Sequence, residues 1–144
     1  MTVNKDAFKW LNSGVQLSNM DNYSEALKCY DKALEIDSSY HVTWFNKGTT
    51  LMKLGDINGA SECFNMAIEL FPNDADYYTN IGLAYGAIRD YNNELDSYQK
   101  ALDLNCEDNS GTLFFNIAVC LSKLNLNVEA LDLYTKAIEI NKFD

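Results

Sequence analysis

Four asparagines occupy one position of an internal repeat in this sequence. Each ends a tripeptide that begins with an aromatic residue (Trp-Leu-Asn, Trp-Phe-Asn, Tyr-Thr-Asn and Phe-Phe-Asn), and they are Asn12, Asn46, Asn80 and Asn116. An asparagine side chain both donates and accepts hydrogen bonds, so it can pair with the N–H and C=O groups of an extended peptide. The residue type and its repetition favour a row of sites that hold a peptide backbone. The alternative is that the four side chains contact only water.

The spacing of these asparagines follows a repeat that runs through the sequence. Marker alanines lie at Ala33, Ala67, Ala101 and Ala137, so successive repeats are 34, 34 and 36 residues apart. A fixed period in this range is typical of a solenoid built from one repeated supersecondary unit. We therefore expect a protein that holds another molecule on an extended surface.

Each period contains two segments with apolar residues at i, i+3, i+4 and i+7, which predicts two amphipathic helices. Turn-forming residues separate the segments, as at Asp21-Asn22, Gly55-Asp56 and Pro72-Asn73. The pattern predicts an all-α single domain over residues 1–144, with eight helices of about 14 residues in antiparallel pairs. The repeats are expected at about 7–40, 41–74, 75–108 and 111–144.

Small residues recur at one position of the first helix, at Gly14, Gly48, Gly82 and Ala118. Aromatic residues recur four positions earlier, at Trp10, Trp44, Tyr78 and Phe114. Small side chains let neighbouring helices approach closely, whereas aromatic rings fill the wider gaps between them. The two sets therefore predict close packing between neighbouring helices.

The composition excludes several classes of function. The formal net charge is −10, and so acidic a surface repels phosphate backbones, so we expect no nucleic-acid binding. No apolar run approaches the ~20 residues that span a bilayer. The start of the chain, MTVNKDAFKW, contains no apolar segment of a secretory signal. We therefore expect no membrane association and a cytoplasmic location.

Residues for catalysis or cofactor binding are scarce. The chain has one histidine, His41, and one arginine, Arg89, which cannot form the usual catalytic triads, metal sites or phosphate clamps. There is no glycine-rich phosphate loop. The cysteines at 29, 63, 106 and 120 fit no zinc or redox motif, and we expect buried free thiols. The sequence predicts a protein that is not an enzyme and has no cofactor and no metal ion.

The repeated pattern closely resembles the tetratricopeptide repeat over about residues 7–142. It reads aromatic–x–x–x–Gly/Ala–x–x–Leu/Tyr in the first helix and Ala–x–x–x–aromatic–x–x–Ala in the second. The second repeat is the fullest match, through Trp44, Gly48, Leu51, Ala60, Phe64, Ala67 and Pro72. The resemblance implies a right-handed α-solenoid of four helix–turn–helix repeats that acts as a scaffold for protein–protein interaction.

Three positions depart from the family pattern. Glu94 stands where the other repeats have alanine, so either the third repeat is locally loosened or Glu94 reaches a partner at the repeat edge. Ser13 and Lys47 replace a usual leucine, which is expected to weaken packing in the first two repeats.

In tetratricopeptide arrays the first helix of each repeat lines a concave groove, and the resemblance places the four asparagines there. It also places further side chains in the groove: Leu11, Val15, Phe45, Thr49, Met52, Lys53, Thr79, Leu83, Phe115, Val119 and Lys123. A mostly apolar floor with amide groups implies a protein or peptide partner that is extended and neutral to apolar. The alternative is that some of these side chains pack against neighbouring helices.

Co-chaperones of this family bind the C-terminal carboxylates of heat-shock chaperones with a clamp of lysine, arginine and asparagine. The matching positions here hold Leu11, Val15, Asn46, Asp76 and Asn80. Starting one repeat later, they hold Phe45, Thr49, Asn80, Thr112 and Asn116. Only the asparagines remain, and Asp76 would repel a carboxylate. We therefore expect no heat-shock carboxylate clamp.

The last predicted helix suggests an alternative function. Because the sequence stops at Asp144, we expect the apolar residues of this helix to lack the helix that normally covers this face: Leu131, Tyr134, Ala137, Ile138 and Ile140. An exposed patch of this kind favours self-association, which would make the chain a homo-oligomeric assembly scaffold. It also favours the binding of a partner helix, or a longer protein from which this sequence is cut. The alternative is that the patch is partly buried against the preceding helix and the apolar remainder is tolerated.

Overall fold

The computed structural model describes residues 2–104 and 111–141. These residues form eight α-helices and contain no β-strand: α1 Lys5–Asn19, α2 Tyr23–Ile36, α3 His41–Leu54, α4 Ile57–Leu70, α5 Ala75–Ala87, α6 Tyr91–Leu104, α7 Gly111–Lys123 and α8 Asn127–Asn141. Each helix corresponds to a segment predicted from apolar periodicity, so the expected all-α architecture is confirmed. Cys106 and the two-residue insertion before the fourth repeat lie outside the described residues.

The helices divide into two compact units, Met1–Pro72 with α1–α4 and Asn73–Asp144 with α5–α8. Consecutive helices pair as hairpins, α1 with α2, α3 with α4, α5 with α6 and α7 with α8. Within each unit the second hairpin packs on the first through its leading helix, because α3 contacts α2 and α7 contacts α6. The single domain expected over the whole chain stays a prediction.

The turn inside each hairpin has the same left-handed geometry. One residue near the end of each first helix has a positive φ: Asp21 at 62°, Gly55 at 85°, Arg89 at 63° and Asn125 at 64°. The following N–H group bonds back over the helix end, as from Asn22 to the Leu17 carbonyl at 2.8 Å. This is the Schellman motif, which satisfies carbonyl groups that a helix end leaves unpaired.

Glycines in the first helices allow close packing within the hairpins. A Cβ atom on Gly14 would lie 2.6 Å from the ring of Tyr30, and one on Gly82 would lie 2.5 Å from the ring of Tyr98. A side chain larger than hydrogen does not fit at these distances without moving the ring. The predicted role of the small residues is confirmed at these positions.

A buried polar cluster lies at the junction between the two hairpins of the first unit. The hydroxyl oxygens of Ser18 and Thr50 lie 3.2 Å apart, and both residues are buried. Burial raises the pKa of Tyr30, while hydrogen bonds with Thr50 and Ser18 lower it. The three hydroxyl groups therefore satisfy one another, as buried polar groups must.

The matching junction in the second unit contains a buried carboxylate. Glu94 is 5% exposed, and its Oε1 accepts a hydrogen bond from the Tyr98 hydroxyl at 3.1 Å. Its Oε2 has no hydrogen-bond partner among the described residues. Cys120 is also buried, and its Sγ donates to the Tyr91 carbonyl oxygen at 3.1 Å. Glu94 points into the unit because Gly86 leaves room for it, so the expectation that it reaches a partner at the repeat edge is wrong.

Candidate functional site

The four repeated asparagines differ in exposure and in hydrogen bonding. Asn12 on α1 and Asn80 on α5 are exposed, whereas Asn46 on α3 and Asn116 on α7 are half-buried. The Nδ2 group of Asn46 donates to the Val42 carbonyl oxygen at 2.9 Å, one turn earlier in the same helix. A peptide would have to take over this bond, while Asn12 and Asn80 are open to solvent. Each unit holds one exposed and one half-buried member, and a single groove along all four stays a prediction.

Two of the predicted groove residues are core residues instead. Leu11 is 3% exposed and belongs to a cluster against which Tyr40 and Val42 pack around the start of α3. Met52 is 7% exposed. Leu11 therefore packs with the start of the following hairpin, and neither Leu11 nor Met52 offers surface to a ligand.

The other apolar and hydroxyl residues of the predicted groove lie nearer the surface. Leu83 and Phe115 are 49% and 51% exposed. The half-buried ones are Val15, Phe45, Thr49, Thr79 and Val119. Val15 packs against the Leu11 cluster, so the alternative of packing against neighbouring helices holds for it as well. The surface available to a ligand is therefore smaller than the sequence suggests.

The two lysines of the predicted groove connect successive hairpins. Lys53 Nζ lies 5.5 Å from the ring centre of Tyr23 on α2, and Lys123 Nζ lies 5.1 Å from that of Tyr91 on α6. Such cation–π contacts stabilise by about 0.5–1 kcal/mol at exposed sites. Sequence reasoning missed these pairs, although in each unit the lysine follows the tyrosine by nearly one repeat.

An apolar notch between α7 and α8 contains two of the predicted self-association residues, Tyr134 and Ile138. It contains a pocket of about 350 Å³ lined by Gly111, Thr112, Phe115, Tyr134, Ala137 and Ile138. The rings of Phe115 and Tyr134 lie 5.6 Å apart and are tilted by 60°. Leu131 and Ile138 are 66% and 69% exposed on α8. The pocket residues and Leu131 together are named the α7/α8 notch.

The buried thiols are unsuited to nucleophilic chemistry. Cys29, Cys63 and Cys120 are free and buried, as predicted. Burial, together with the nearby Glu94 carboxylate, raises the pKa of the Cys120 thiol to about 12. The thiolate is the reactive form of cysteine, so a protonated buried thiol is inert at neutral pH.

Residues 2–104 and 111–141 contain neither a metal-binding cluster nor a helix that could span a membrane. No group of three or more His, Cys, Asp or Glu side chains in these ranges is placed to hold a metal ion. None of the described helices is both long enough and apolar enough to cross a bilayer.

Three protein-family models match parts of this chain. Two models of the Tetratricopeptide repeat match residues 7–40 and 75–106, and a TPR repeat model matches residues 48–88. Together they cover residues 7–40 and 48–106, which is more than half of the chain. No curated protein matches the chain significantly.

Several solved structures have a similar fold. MamA 41-end from Desulfovibrio magneticus RS-1 is 22% identical, with a TM-score of 0.83 over 96% of this chain and 77% of that one. The first TPR of Spaghetti (RPAP3) bound to HSP90 peptide SRMEEVD is 21% identical, with a TM-score of 0.66 over 89% and 94%. The Sgt2 TPR domain from Aspergillus fumigatus is 20% identical, with a TM-score of 0.73 over 85% and 81%. At these identities the likeness shows the fold alone.

The repeat models, the sequence period and the helical hairpins agree. Each hairpin has its Schellman turn at the same repeat position, and Gly14, Gly48 and Gly82 each lie against an aromatic ring of the second helix. The fold is the all-α tetratricopeptide solenoid. The chain belongs to the tetratricopeptide repeat family.

Proposed function

We propose that this chain is a non-catalytic scaffold that binds an extended, neutral to apolar segment of a partner protein along its first helices. The observation that carries the proposal is the recurrence of asparagine at one repeat position, with Asn12 and Asn80 exposed. Membership of the tetratricopeptide family supports it, because repeat arrays present extended concave binding surfaces. A cytoplasmic location is part of the same proposal.

The asparagines would pair with the ligand backbone rather than with its side chains. Packed helices lie roughly 10 Å apart, and an extended peptide advances about 3.3 Å per residue. One asparagine would therefore meet about every third ligand residue. Backbone pairing supplies affinity for many sequences, so specificity would come from apolar neighbours such as Leu83.

The proposed ligand is not an acidic C-terminal peptide of the kind that heat-shock chaperones present. The first TPR of Spaghetti (RPAP3) was solved with the HSP90 peptide SRMEEVD, which supports peptide binding by this fold. In the present chain the positions matched to the basic clamp residues include Leu11, which is buried, and Asp76, which is exposed and acidic. A neutral or apolar segment avoids repulsion from Asp76.

The proposal can be tested with peptides selected from a library of extended neutral and apolar sequences. We expect affinities near the micromolar range, because ordering a flexible peptide opposes binding. Replacing Asn46 and Asn80 together by alanine should weaken binding at least tenfold, or about 1.4 kcal/mol. Circular dichroism should show an unchanged helix content.

Asn65 and Asn92 provide a matched control, because both are exposed asparagines on second helices, α4 and α6. Replacing this pair by alanine should leave the affinity unchanged. Among single variants, Asn80→Ala should cost more than Asn46→Ala, because Asn46 already donates to its own helix. If the Asn46 and Asn80 double variant binds as tightly as the control, the asparagines do not hold the ligand and the proposal fails.

Assembly through α8 is a second candidate function. The exposed fractions of Leu131 and Ile138, 66% and 69%, favour it. An apolar helix face of this kind favours association with another helix, from a second copy or from a different protein. Tyr134→Lys should abolish such association and leave peptide binding along the first helices unchanged, as judged by sedimentation and by peptide titration.

A further inference from the structure

We propose that the α7/α8 notch binds an amphipathic helix of a partner protein, with Leu or Ile at i, i+4 and i+8 and basic residues along one edge. The notch shares Phe115 with the predicted groove but contains none of the four asparagines. This proposal therefore does not depend on the asparagines holding a peptide. It deepens the second candidate function, assembly through α8, by naming a helix of a different protein as the bound partner.

The contact between α6 and α7 shows how a helix can pack on a face like that of α8. On α6, three apolar or aromatic side chains belong to one apolar cluster or pack against it: Leu95, Tyr98 and Leu102. They share a cluster with three α7 residues spaced four apart: Leu113, Ile117 and Leu121. The same repeat positions on α8 hold Leu131, Tyr134 and Ile138. Leu131 and Ile138 are 66% and 69% exposed, whereas Tyr134 is half-buried against the same cluster. Two of the three positions that α6 buries are therefore exposed on α8.

The exposed side chain of Phe115 is one that a bound partner helix would cover. Leu11 and Phe115 occupy the same repeat position on α1 and α7. Leu11 is 3% exposed, with Tyr40 and Val42 around the start of α3 packed against its cluster, whereas Phe115 is 51% exposed. A helix lying on the notch as α3 lies on the first hairpin would remove Phe115 from water, which is the main favourable term in association.

The geometry of the notch sets the spacing of the apolar residues in the partner. Leu131 and Ile138 are seven residues apart, or about two helical turns. An occupant must therefore present an apolar stripe over at least two turns, which the i, i+4 and i+8 spacing supplies. The pocket of about 350 Å³ beside Phe115 can receive one of these side chains.

A second copy of this chain lacks a suitable apolar helix at α1. The positions that hold Leu113 and Ile117 on α7 are occupied on α1 by Lys9 and Ser13, and both are exposed. Covering the notch with α1 would place these polar groups against an apolar surface without partners, which is unfavourable. Head-to-tail stacking of copies is therefore disfavoured.

Charge along the notch disfavours a symmetric pair of α8 helices and favours a basic partner. Asp132 and Glu139 each follow a notch residue by one position, are exposed, and lie along the same edge of α8. The base on α8, Lys136, lies with its Nζ 5.8 Å from the Phe114 ring centre. Two antiparallel α8 helices would bring their acidic edges together between chains of net charge −10 each. Basic residues on a partner helix would instead pair with this edge.

Two synthetic helical peptides test the proposal. Both carry Leu, Ile and Leu four residues apart, and one has lysines along one edge where the other has glutamates. Fluorescence anisotropy at low salt should show at least tenfold tighter binding of the lysine peptide. Ile138→Asp should weaken this binding at least tenfold, although the new charge by itself attracts lysine. Asp132→Lys combined with Glu139→Lys should reverse the preference between the two peptides.

Met20 supplies the matched control, because it is 69% exposed like Ile138 but lies on the first unit. Met20→Asp should bind the lysine peptide as wild type does, and so should the Asn46 and Asn80 double alanine variant. Equal binding of both peptides, or binding unaffected by Ile138→Asp, would overturn the proposal. Loss of binding in the double asparagine variant would place the peptide on the first helices instead, which also overturns it. Sedimentation velocity that shows Ile138-dependent dimers would identify a second copy as the occupant and reject a partner helix.

Discussion

A Cβ atom on Gly86 would lie 2.6 Å from Oε1 of Glu94 and 2.8 Å from its Cδ. Gly86 is on α5 and Glu94 on α6, so the carboxylate fills space that a side chain on α5 would need. The other repeats have a larger residue at the first position, namely Ser18, Met52 and Ser122. They have alanine at the second, namely Ala26, Ala60 and Ala130. In the third repeat the small residue is therefore on the first helix and the large residue on the second, the reverse of the other repeats.

This exchange predicts that the effect of Gly86→Ala changes sign with residue 94. In the wild type the added methyl group meets a carboxylate that is buried and accepts a hydrogen bond from Tyr98, so it cannot move aside freely. Such overpacking costs roughly 1–3 kcal/mol. In a Glu94→Ala background the space is open, and Gly→Ala within a helix stabilises by up to about 1 kcal/mol. Urea unfolding of the four proteins of the double-mutant cycle measures both effects. The same sign in both backgrounds would contradict the predicted clash.

Arg89→Gly should stabilise the protein. Arg89 has φ +63° at the Schellman turn, where the Cβ atom of a non-glycine residue costs roughly 1–2 kcal/mol. We expect the free energy of unfolding to rise by about 1 kcal/mol. The gain is smaller than the relieved strain because glycine has more conformational entropy in the unfolded chain. Gly55→Ala at the same repeat position, with φ +85°, should lower it. A thermal denaturation series of the two variants checks both directions, and destabilisation by Arg89→Gly would mean that the arginine side chain outweighs backbone strain.

Cys120 should make the protein sensitive to alkaline pH. Its thiol pKa rises from 9.0 to about 12 on folding, mainly through burial. Between these values the unfolded chain has released the proton while the folded chain retains it, so stability falls as pH rises from about 9 to about 12. The free energy of unfolding of Cys120→Ala should fall less steeply over this range. Parallel curves for the two proteins would show that Cys120 does not contribute.

Lys47 should contribute little through its ion pair. Its Nζ lies 2.7 Å from Oδ1 of Asp31 and connects α3 to α2, but the Asp31 side chain is 52% exposed. Exposed pairs contribute about 0–1 kcal/mol. Lys47→Leu, which restores the usual family residue, should leave the free energy of unfolding unchanged or raise it by up to about 1 kcal/mol through apolar burial. Asp31→Asn should cost less than about 1 kcal/mol, and the loss should shrink in high salt. A larger loss from Lys47→Leu than from Asp31→Asn would contradict this.

The helices and their close packing could be predicted because they depend on local pattern. Apolar periodicity sets each helix, and Gly14 and Gly82 are small because Tyr30 and Tyr98 lie against them. These relationships lie within one hairpin and recur in every repeat. A single sequence therefore shows them several times.

The candidate site was less predictable because exposure depends on what lies over each position. Leu11 and Phe115 are equivalent in the repeat, yet Leu11 is buried beside Tyr40 and Val42, whereas Phe115 is 51% exposed. Glu94 looked anomalous because its compensating residue, Gly86, lies on the other helix of the hairpin. Comparing the repeat positions of Gly86 and Glu94 together would have revealed that the small and large residues are exchanged.

The pairing of Gly86 with Glu94 also determines how this sequence can recombine. A crossover in the turn between α5 and α6 would separate the two residues and could place Glu94 opposite Met52 or a serine, where the carboxylate has no room. A crossover between hairpins keeps both residues together. In the evolution of this chain, and in any redesign by averaging repeats into a consensus, the smallest fragment that can be exchanged intact is therefore the whole hairpin.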